Sequence, residues 1–196
     1  GRAGGAMLRG VGLAVGGWMG GLQPASAIVC LNSDGTINVT VGSSDITGTN
    51  TAFQQIVAEV LNLPLSMVGV TAGDTKTAPY AGMSAGSKTM YTVGRAVKLA
   101  AEDARQQMLE IAAQRIEAAP EEMEMVDGEI RVIGAEGKSV TFARLGRLST
   151  NFAAPYPVIV GRGSMATRQF APGFTAQAAE VEIDPETGEV TLLGFA

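Results

Sequence analysis

TAPYAGMSAGSKTMYTVG, residues 77–94, passes from a proline and a series of small residues straight into a helical pattern. Apolar side chains then recur at intervals of three and four residues, until Pro120 ends the pattern. This spacing predicts one long helix at about 89–118. Small residues before a helix N-terminus allow a ligand, often an anion, to approach the free backbone N–H groups there. The loop before the helix is therefore the first candidate binding segment.

A second loop has the same plan. SSDITGTNTAF, residues 43–53, joins an alternating strand pattern to a helical pattern at about 50–61. A threonine or asparagine at its end suits the helix N-cap position. Two interpretations stay open: a helix start capped by its own side chains, or a polar rim around Thr47, Gly48 and Thr49 that hydrogen-bonds a ligand.

The two loops would form a paired binding site for one anionic ligand if the strands before them are neighbours. In that case Gly86 allows close backbone approach, Ser87 and Thr89 offer hydroxyl donors, and Lys88 adds positive charge. The alternative is two ordinary strand–helix connections without a ligand. The residue pattern alone does not decide between them.

The remaining sequence predicts β-strands and hairpins. Residues 7–17 are interpreted as a strand that ends in a loop at Gly16–Gly17, although a signal peptide shares some of its features. Three hairpins are predicted, with turns at Ser33–Gly35, Asp127–Gly128 and Pro185–Gly188. Together the patterns predict an α+β fold in which a mixed β-sheet is layered with the two main helices.

Composition excludes several classes of function. The 196 residues carry a net charge of −5 and no long run of Lys or Arg, which argues against nucleic-acid binding. The chain has no histidine and one cysteine, Cys30, so it holds no His-based catalytic centre, no internal disulfide and no cysteine-rich metal site. No segment has the length and hydropathy of a membrane span, and the expected location is the cytoplasm.

VIVGRGSMA, residues 158–166, imitates a dinucleotide-binding fingerprint, with a strand followed by Gly161-x-Gly163. That fingerprint requires a helix directly after the glycines. Pro172 and Gly173 follow too soon for one to fit, so nucleotide binding is not the favoured interpretation.

Taken together, the motifs resemble the molybdenum-cofactor-binding region of the xanthine dehydrogenase and aldehyde oxidase family, which includes carbon monoxide dehydrogenase large subunits. The resemblance covers about residues 5–196, including the tail hairpin APGFTAQAAEVEIDPETGEV. The matching motifs are Asp34-Gly35, Thr47-Gly48, Gln55–Glu59, Asp74-Thr75, Gly86–Thr89 and Ala96–Ala101.

The resemblance implies a molybdopterin cofactor, with or without a cytosine nucleotide. In the family the loop that matches Gly86–Thr89 lies against the pterin, with backbone amides and the serine hydroxyl as donors. The cofactor's own sulfurs hold the molybdenum, so no metal ligand is expected in this chain. The implied partners are the rest of the catalytic subunit, 2Fe-2S and FAD subunits or domains, and a small-molecule substrate, in an oligomeric parent protein.

Two departures from the family pattern limit what the resemblance implies. Most members carry a Gly-Gln-Gly loop, where this chain has Ile46 to Thr49 and no glutamine; whether Thr47 replaces it is open. The family's catalytic glutamate would lie beyond Ala196, so no catalytic residue is expected here. Residues 1–196 are thus interpreted as a single fragment, with two lobes at about 1–120 and 121–196, that is inactive in isolation.

The implied parent is the catalytic subunit of a molybdenum hydroxylase, which oxidises an aldehyde, an N-heterocycle or a similar small substrate with water as the oxygen source. Two hypotheses from other classes remain. One is a non-catalytic module that binds a phosphate-bearing ligand, and the other is a structural or interaction domain.

Overall fold

The computed structural model describes residues 6–196, which form three small sheets and three helices. The helices are α1 (Thr49–Leu61), α2 (Arg95–Ile116) and α3 (Phe142–Thr150). The strands are β1 (Leu8–Trp18), β2 (Ala25–Leu31), β3 (Ile37–Val41), β4 (Val68–Ala72), β5 (Met123–Val126), β6 (Glu129–Val132), β7 (Ser139–Thr141), β8 (Val160–Met165), β9 (Gly173–Ile183) and β10 (Val190–Phe195).

The main sheet has the strand order β4-β3-β2-β8 and is mixed. β2 is antiparallel to β3 and to β8, whereas β3 and β4 run parallel. Side chains of β2 and β3 alternate between fully buried and partly exposed, as expected for a sheet with one covered face. Helices α1 and α2 supply the apolar residues of that covered face, among them Phe53, Val57 and Val97. The predicted α+β fold is confirmed.

Two glycines of β8 allow α2 to lie directly against the sheet. A Cβ atom at Gly161 would overlap the carbonyl oxygen of Ala100, and one at Gly163 would overlap that of Ala96. On the helix, Ala96, Ala100 and Ala104 are completely buried. Because neither surface carries a side chain longer than a methyl group, helix and strand pack at backbone distance. The glycines that imitate a nucleotide fingerprint are therefore packing residues.

The long predicted helix is present, and it differs from the prediction only at its two ends. Residues Thr89–Gly94 form a π-helical segment that runs directly into α2, and α2 ends at Ile116. Gly94 closes the π-helical segment where α1 approaches it, since a Cβ there would lie 3.3 Å from the Cδ1 atom of Ile56. The π-helical segment is only six residues long, too short for periodicity to distinguish it from the α-helix that follows.

The chain divides into two compact units. Residues 21–169 form one, with the main sheet, the three helices and the small sheet β5-β6-β7. The second comprises the residues up to Gly20 and Phe170–Ala196, and its sheet has the order β1-β9-β10. These bounds differ from the lobes suggested by the sequence; that the chain is one fragment of a larger subunit stays a prediction.

The β-structure predictions hold in outline. The three predicted hairpins correspond to the antiparallel pairs β2–β3, β5–β6 and β9–β10. The predicted loop at Gly16–Gly17 is wrong, because β1 continues through both glycines to Trp18 opposite β9. Among residues 6–196, none of the helices is both long and apolar enough to cross a membrane.

The contact between α2 and β8 predicts the effect of one added methyl group. Gly163→Ala should destabilise the protein by about 3 kcal/mol, because the new Cβ must displace the backbone of α2. Gly69→Ala is the matched control in β4, where a Cβ would meet only ordinary contacts, at 3.7 and 3.9 Å. That change should stay within about 1 kcal/mol of the parent. Urea unfolding followed by circular dichroism measures both, and equal effects would contradict the backbone contact.

Candidate functional site

Two loops leave the same edge of the main sheet. The first loop, residues 42–48, follows β3 and leads into α1; the second loop, residues 73–88, follows β4 and leads into the π-helical segment. Because β3 and β4 are parallel neighbours, their carboxyl ends lie side by side. A Cβ at Gly42 would overlap the carbonyl oxygen of Pro79, so the two loops touch. The neighbouring strands required for a paired site are present.

The two loops enclose a cleft of about 330 Å³. Its lining contains five of the seven predicted site residues, and the other two, Gly48 and Gly86, lie between lining residues. The lining residues are Ser44, Ile46, Thr47, Thr49, Ser84, Ala85, Ser87, Lys88, Thr89 and Met90. Sequence reasoning missed Ser44, Ile46, Ser84, Ala85 and Met90, although the run of small residues in both loops was the available signal.

The first loop delivers the N-terminus of α1 to the cleft. Gly48 occupies the N-cap position with φ of 85°, and as a glycine it has no side chain to cap the helix. The prediction that Thr49 or Asn50 is the N-cap is wrong, because the helix already begins at Thr49. Asp45 instead accepts hydrogen bonds from the Asn50 backbone N–H and the Thr49 hydroxyl, both at 3.1 Å. This places Asp45 in a supporting role at the helix start.

The second loop delivers the start of the π-helical segment to the same cleft. Gly86 and Ser87 both have positive φ, 65° and 58°, before the chain becomes helical at Lys88. No side chain within residues 6–196 caps this N-terminus either. Backbone N–H groups at helix starts, and in short left-handed turns that precede them, bind anions. Two such starts therefore border one cleft.

Lys88 does not have the predicted role. Its side chain is only 2% exposed, and its amine donates a hydrogen bond to the backbone carbonyl of Ala81. Among the described residues, no carboxylate lies within salt-bridge distance of this amine. Burial lowers the pKa of Lys88 below its ordinary value, because an apolar environment disfavours the charged form. Its amine is directed into the protein, although Lys88 also borders the cleft.

The donor set of the cleft suits an anionic ligand rich in hydrogen-bond acceptors. Its lining includes no Asp or Glu, and six of its residues carry hydroxyl groups around the two helix starts. One residue before the lining residue Ser44, the buried hydroxyl of Ser43 has no hydrogen-bond partner in the described part of the chain. An unsatisfied buried hydroxyl next to a cleft is a typical signal of a missing ligand or water.

Within residues 6–196, no cluster of His, Cys, Asp or Glu has the arrangement of a metal site. Cys30 lies half-buried on β2, away from the cleft lining, and burial raises the pKa of its thiol. The cleft lining therefore offers hydroxyl groups and backbone amides as hydrogen-bond donors.

A family model described as the molybdopterin cofactor-binding domain matches residues 1–196. The chain belongs to this family. Its members include domains of xanthine dehydrogenase, carbon monoxide dehydrogenase and aldehyde oxidoreductase large subunits. The family resemblance stated from the motifs is confirmed.

Individual relatives show the same family similarity. The chain is 34% identical over 177 residues to the probable hypoxanthine oxidase XdhD of Escherichia coli (strain K12), a match that covers 89% of this chain and 18% of the relative. It is 30% identical over 171 residues to the nicotine 6-hydroxylase large subunit of Paenarthrobacter nicotinovorans, covering 84% and 21%. The chain thus spans about a fifth of the length of these relatives.

Solved structures agree with the fold. Quinoline 2-oxidoreductase from Pseudomonas putida 86 superposes with a TM-score of 0.75 at 26% identity, over 96% of this chain and 26% of that structure. A Cu,Mo-CO dehydrogenase superposes with a TM-score of 0.79 at 24% identity, over the same shares. This molybdopterin-binding domain therefore has the fold of a segment found in larger enzymes.

Family membership does not say which side chains touch the cofactor. The assignment of Thr47, Gly48, Thr49, Gly86, Ser87 and Thr89 stays a prediction, supported by their convergence on one cleft.

The burial of Lys88 predicts its chemical reactivity. With a lowered pKa, a larger share of its amine is neutral and nucleophilic, so an accessible Lys88 would react with acetic anhydride faster than surface lysines. Because the side chain is buried, we expect acetylation at least about tenfold slower than at the exposed Lys76 and Lys98, which serve as internal controls. Mass spectrometry of a time course measures all three, and rapid labelling of Lys88 would contradict its placement.

Proposed function

We propose that this chain supplies part of the molybdopterin cleft in the catalytic subunit of a molybdenum hydroxylase. The substrate class is an aldehyde, an N-heterocycle or a similar small molecule, and water is the oxygen source. The observation that carries the proposal is the convergence of two helix starts, each entered through a residue of positive φ, on one cleft in a molybdopterin-binding domain.

The proposed contacts follow from the donors in the cleft. Backbone N–H groups at the start of α1 and of the π-helical segment face negative charge on the cofactor, since both N-termini are electropositive. The hydroxyls of Ser87 and Thr89 donate to its ring and phosphate oxygens, while those of Thr47 and Thr49 donate within the first loop and hold its shape. Gly86 supplies the left-handed backbone conformation, φ of 65°, that leads the chain into the π-helical segment.

This chain's residues bind and orient, and the bound cofactor supplies the redox chemistry. The cleft lining contains no carboxylate to act as a general base. We therefore propose that the base, the 2Fe-2S and FAD groups, and the rest of the substrate pocket come from other parts of the parent protein. On this account the isolated chain is inactive.

The relatives support the proposed substrate class without defining it. Their names include a probable hypoxanthine oxidase and the large subunit of a nicotine 6-hydroxylase, both directed at nitrogen heterocycles, while other relatives are carbon monoxide dehydrogenase large chains. Because these names span different substrates on one domain type, the substrate is proposed only as a class.

The hydroxyl groups of the cleft provide a direct test. In the full-length protein, the double substitution Ser87→Ala and Thr89→Ala removes two hydroxyls at the start of the π-helical segment without adding volume. A neutral hydrogen bond contributes about 1 kcal/mol, so losing two should speed cofactor release by about 10- to 100-fold. Molybdenum retained after gel filtration, measured by mass spectrometry, and the fluorescence of the oxidised pterin report the loss.

Ser33→Ala is the control, because Ser33 is exposed in the β2–β3 turn, away from the cleft. It should retain the parent's molybdenum and pterin content. If the double variant retains as much molybdenum and pterin as the parent, the two hydroxyls do not contribute to cofactor binding. A protein that binds phosphate compounds but never molybdopterin, in a host that makes the cofactor, would favour the non-catalytic binding module.

A further inference from the structure

We propose that Lys88 is a positioning residue: its buried side chain ties the second loop together and thereby holds Gly86 and Ser87 at the cleft. The sequence had suggested that Lys88 contacts the ligand. Instead its amine crosses the loop and donates to the carbonyl of Ala81, seven residues earlier. One side chain thus joins the two ends of the segment 81–88.

A short segment before β2, residues 21–23, packs around this tie. A Cβ at Gly21 would lie 2.6 Å from the Lys88 Cβ and 3.0 Å from the Gly86 carbonyl oxygen. The only residue that fits there is glycine, because Lys88 and Gly86 occupy the space a side chain would need. The backbone of residue 21 therefore covers the Lys88 stem and touches the backbone of the loop.

Gln23 completes the arrangement from the other side. Its side-chain oxygen accepts a hydrogen bond of 3.1 Å from the backbone N–H of Met83. A Cβ at Gly82 would overlap that same oxygen and lie 2.9 Å from the Lys88 amine. The Lys88 amine and the Gln23 side-chain amide therefore both lie against the backbone of residues 81–83.

The loop needs such a tie because of its length and conformation. Residues 73–88 contain no helix or strand, and an irregular segment of this length is mobile unless side chains fix it. Ser87 also has a left-handed conformation that a non-glycine residue adopts at an energetic cost, so surrounding contacts must hold it. The contacts of Lys88 and Gln23 meet that requirement.

Burying a lysine amine costs free energy, which argues that Lys88 has a specific structural role. An apolar side chain of the same length fills the volume without the desolvation penalty, but it leaves the Ala81 carbonyl unpaired. The amine that satisfies this carbonyl is therefore the feature of Lys88 that leucine or methionine lacks. The consequence for cofactor binding rests on the proposed function, whereas the tie itself does not.

Hydrogen–deuterium exchange in the full-length protein, prepared without cofactor, tests the tie. Lys88→Met should raise the exchange rate of backbone amides in residues 82–87 by about tenfold, since a buried hydrogen bond holding the loop is lost. Lys88→Arg keeps a donor and should stay within about threefold of the parent. Lys98→Met, on the exposed face of α2, is the surface control and should change nothing in this segment.

Gln23→Met provides an independent variant if Lys88→Met does not fold. It leaves Lys88 intact, removes the acceptor for Met83 N–H, and should speed exchange at Met83 and its neighbours about threefold or more. Unchanged exchange in residues 82–87 of the folded Lys88→Met variant overturns the proposal, as does unchanged exchange in Gln23→Met.

Cofactor release, measured on the loaded protein, separates the tie from a direct contact. Faster release with faster exchange supports positioning by Lys88. Faster release with unchanged exchange assigns Lys88 to the ligand and overturns the tie. If the protein never holds molybdopterin but Lys88→Met still speeds exchange, the proposed function fails and the tie stands.

Discussion

The backbone contact between α2 and β8 is the constraint on which the rest of this domain depends. Gly161 and Gly163 on the strand meet buried alanines on the helix at a separation that admits no further carbon atom. A contact this close fixes the position of α2 against the main sheet, because interiors at this packing density do not deform to accept extra volume. The start of the same helical run is then fixed beside the sheet edge.

The position of α2 against the main sheet helps to explain how the two loops form a cleft. The parallel pairing of β3 and β4 brings both loops to one edge, and the helical elements that follow deliver two N-termini to one cleft. The first loop is short and is supported by Asp45 at the helix start. The second is long and irregular, and its buried lysine and Gln23 supply the support that regular structure does not. The close packing of α2 against the main sheet and the side-chain hydrogen bonds within the two loops together shape the cleft.

Much of this architecture could be predicted from sequence because it depends on local patterns. Alternating strands around Ser33–Gly35 and the apolar stripe after Thr89 produce period-two and helical signals that survive without tertiary context. The small-residue loops also marked the cleft, because small residues before a helix N-terminus allow a ligand to approach the backbone. The family resemblance added the identity of the ligand, which no local pattern carries.

What could not be predicted depends on contacts between distant residues. A lysine in a small-residue loop looks solvent-facing, and only the approach of residue 21 makes it buried. The π-helical segment covers only six residues, so periodicity did not distinguish it from an α-helix. The sequence at Gly16–Gly17 suggested a loop. The structure has a strand there because β1 pairs with β9, which lies more than 150 positions later in the chain. In each case tertiary contact, not propensity, decided the local structure.

We propose that the cleft between the two loops holds a molybdopterin cofactor. The most direct measurement is molybdenum and pterin content of the full-length parent protein, purified with its neighbouring subunits from a host that makes the cofactor. We expect about one molybdenum and one releasable pterin per copy of this domain's parent subunit. A well-folded parent protein that contains neither would contradict it and leave a shared fold without the family's cofactor.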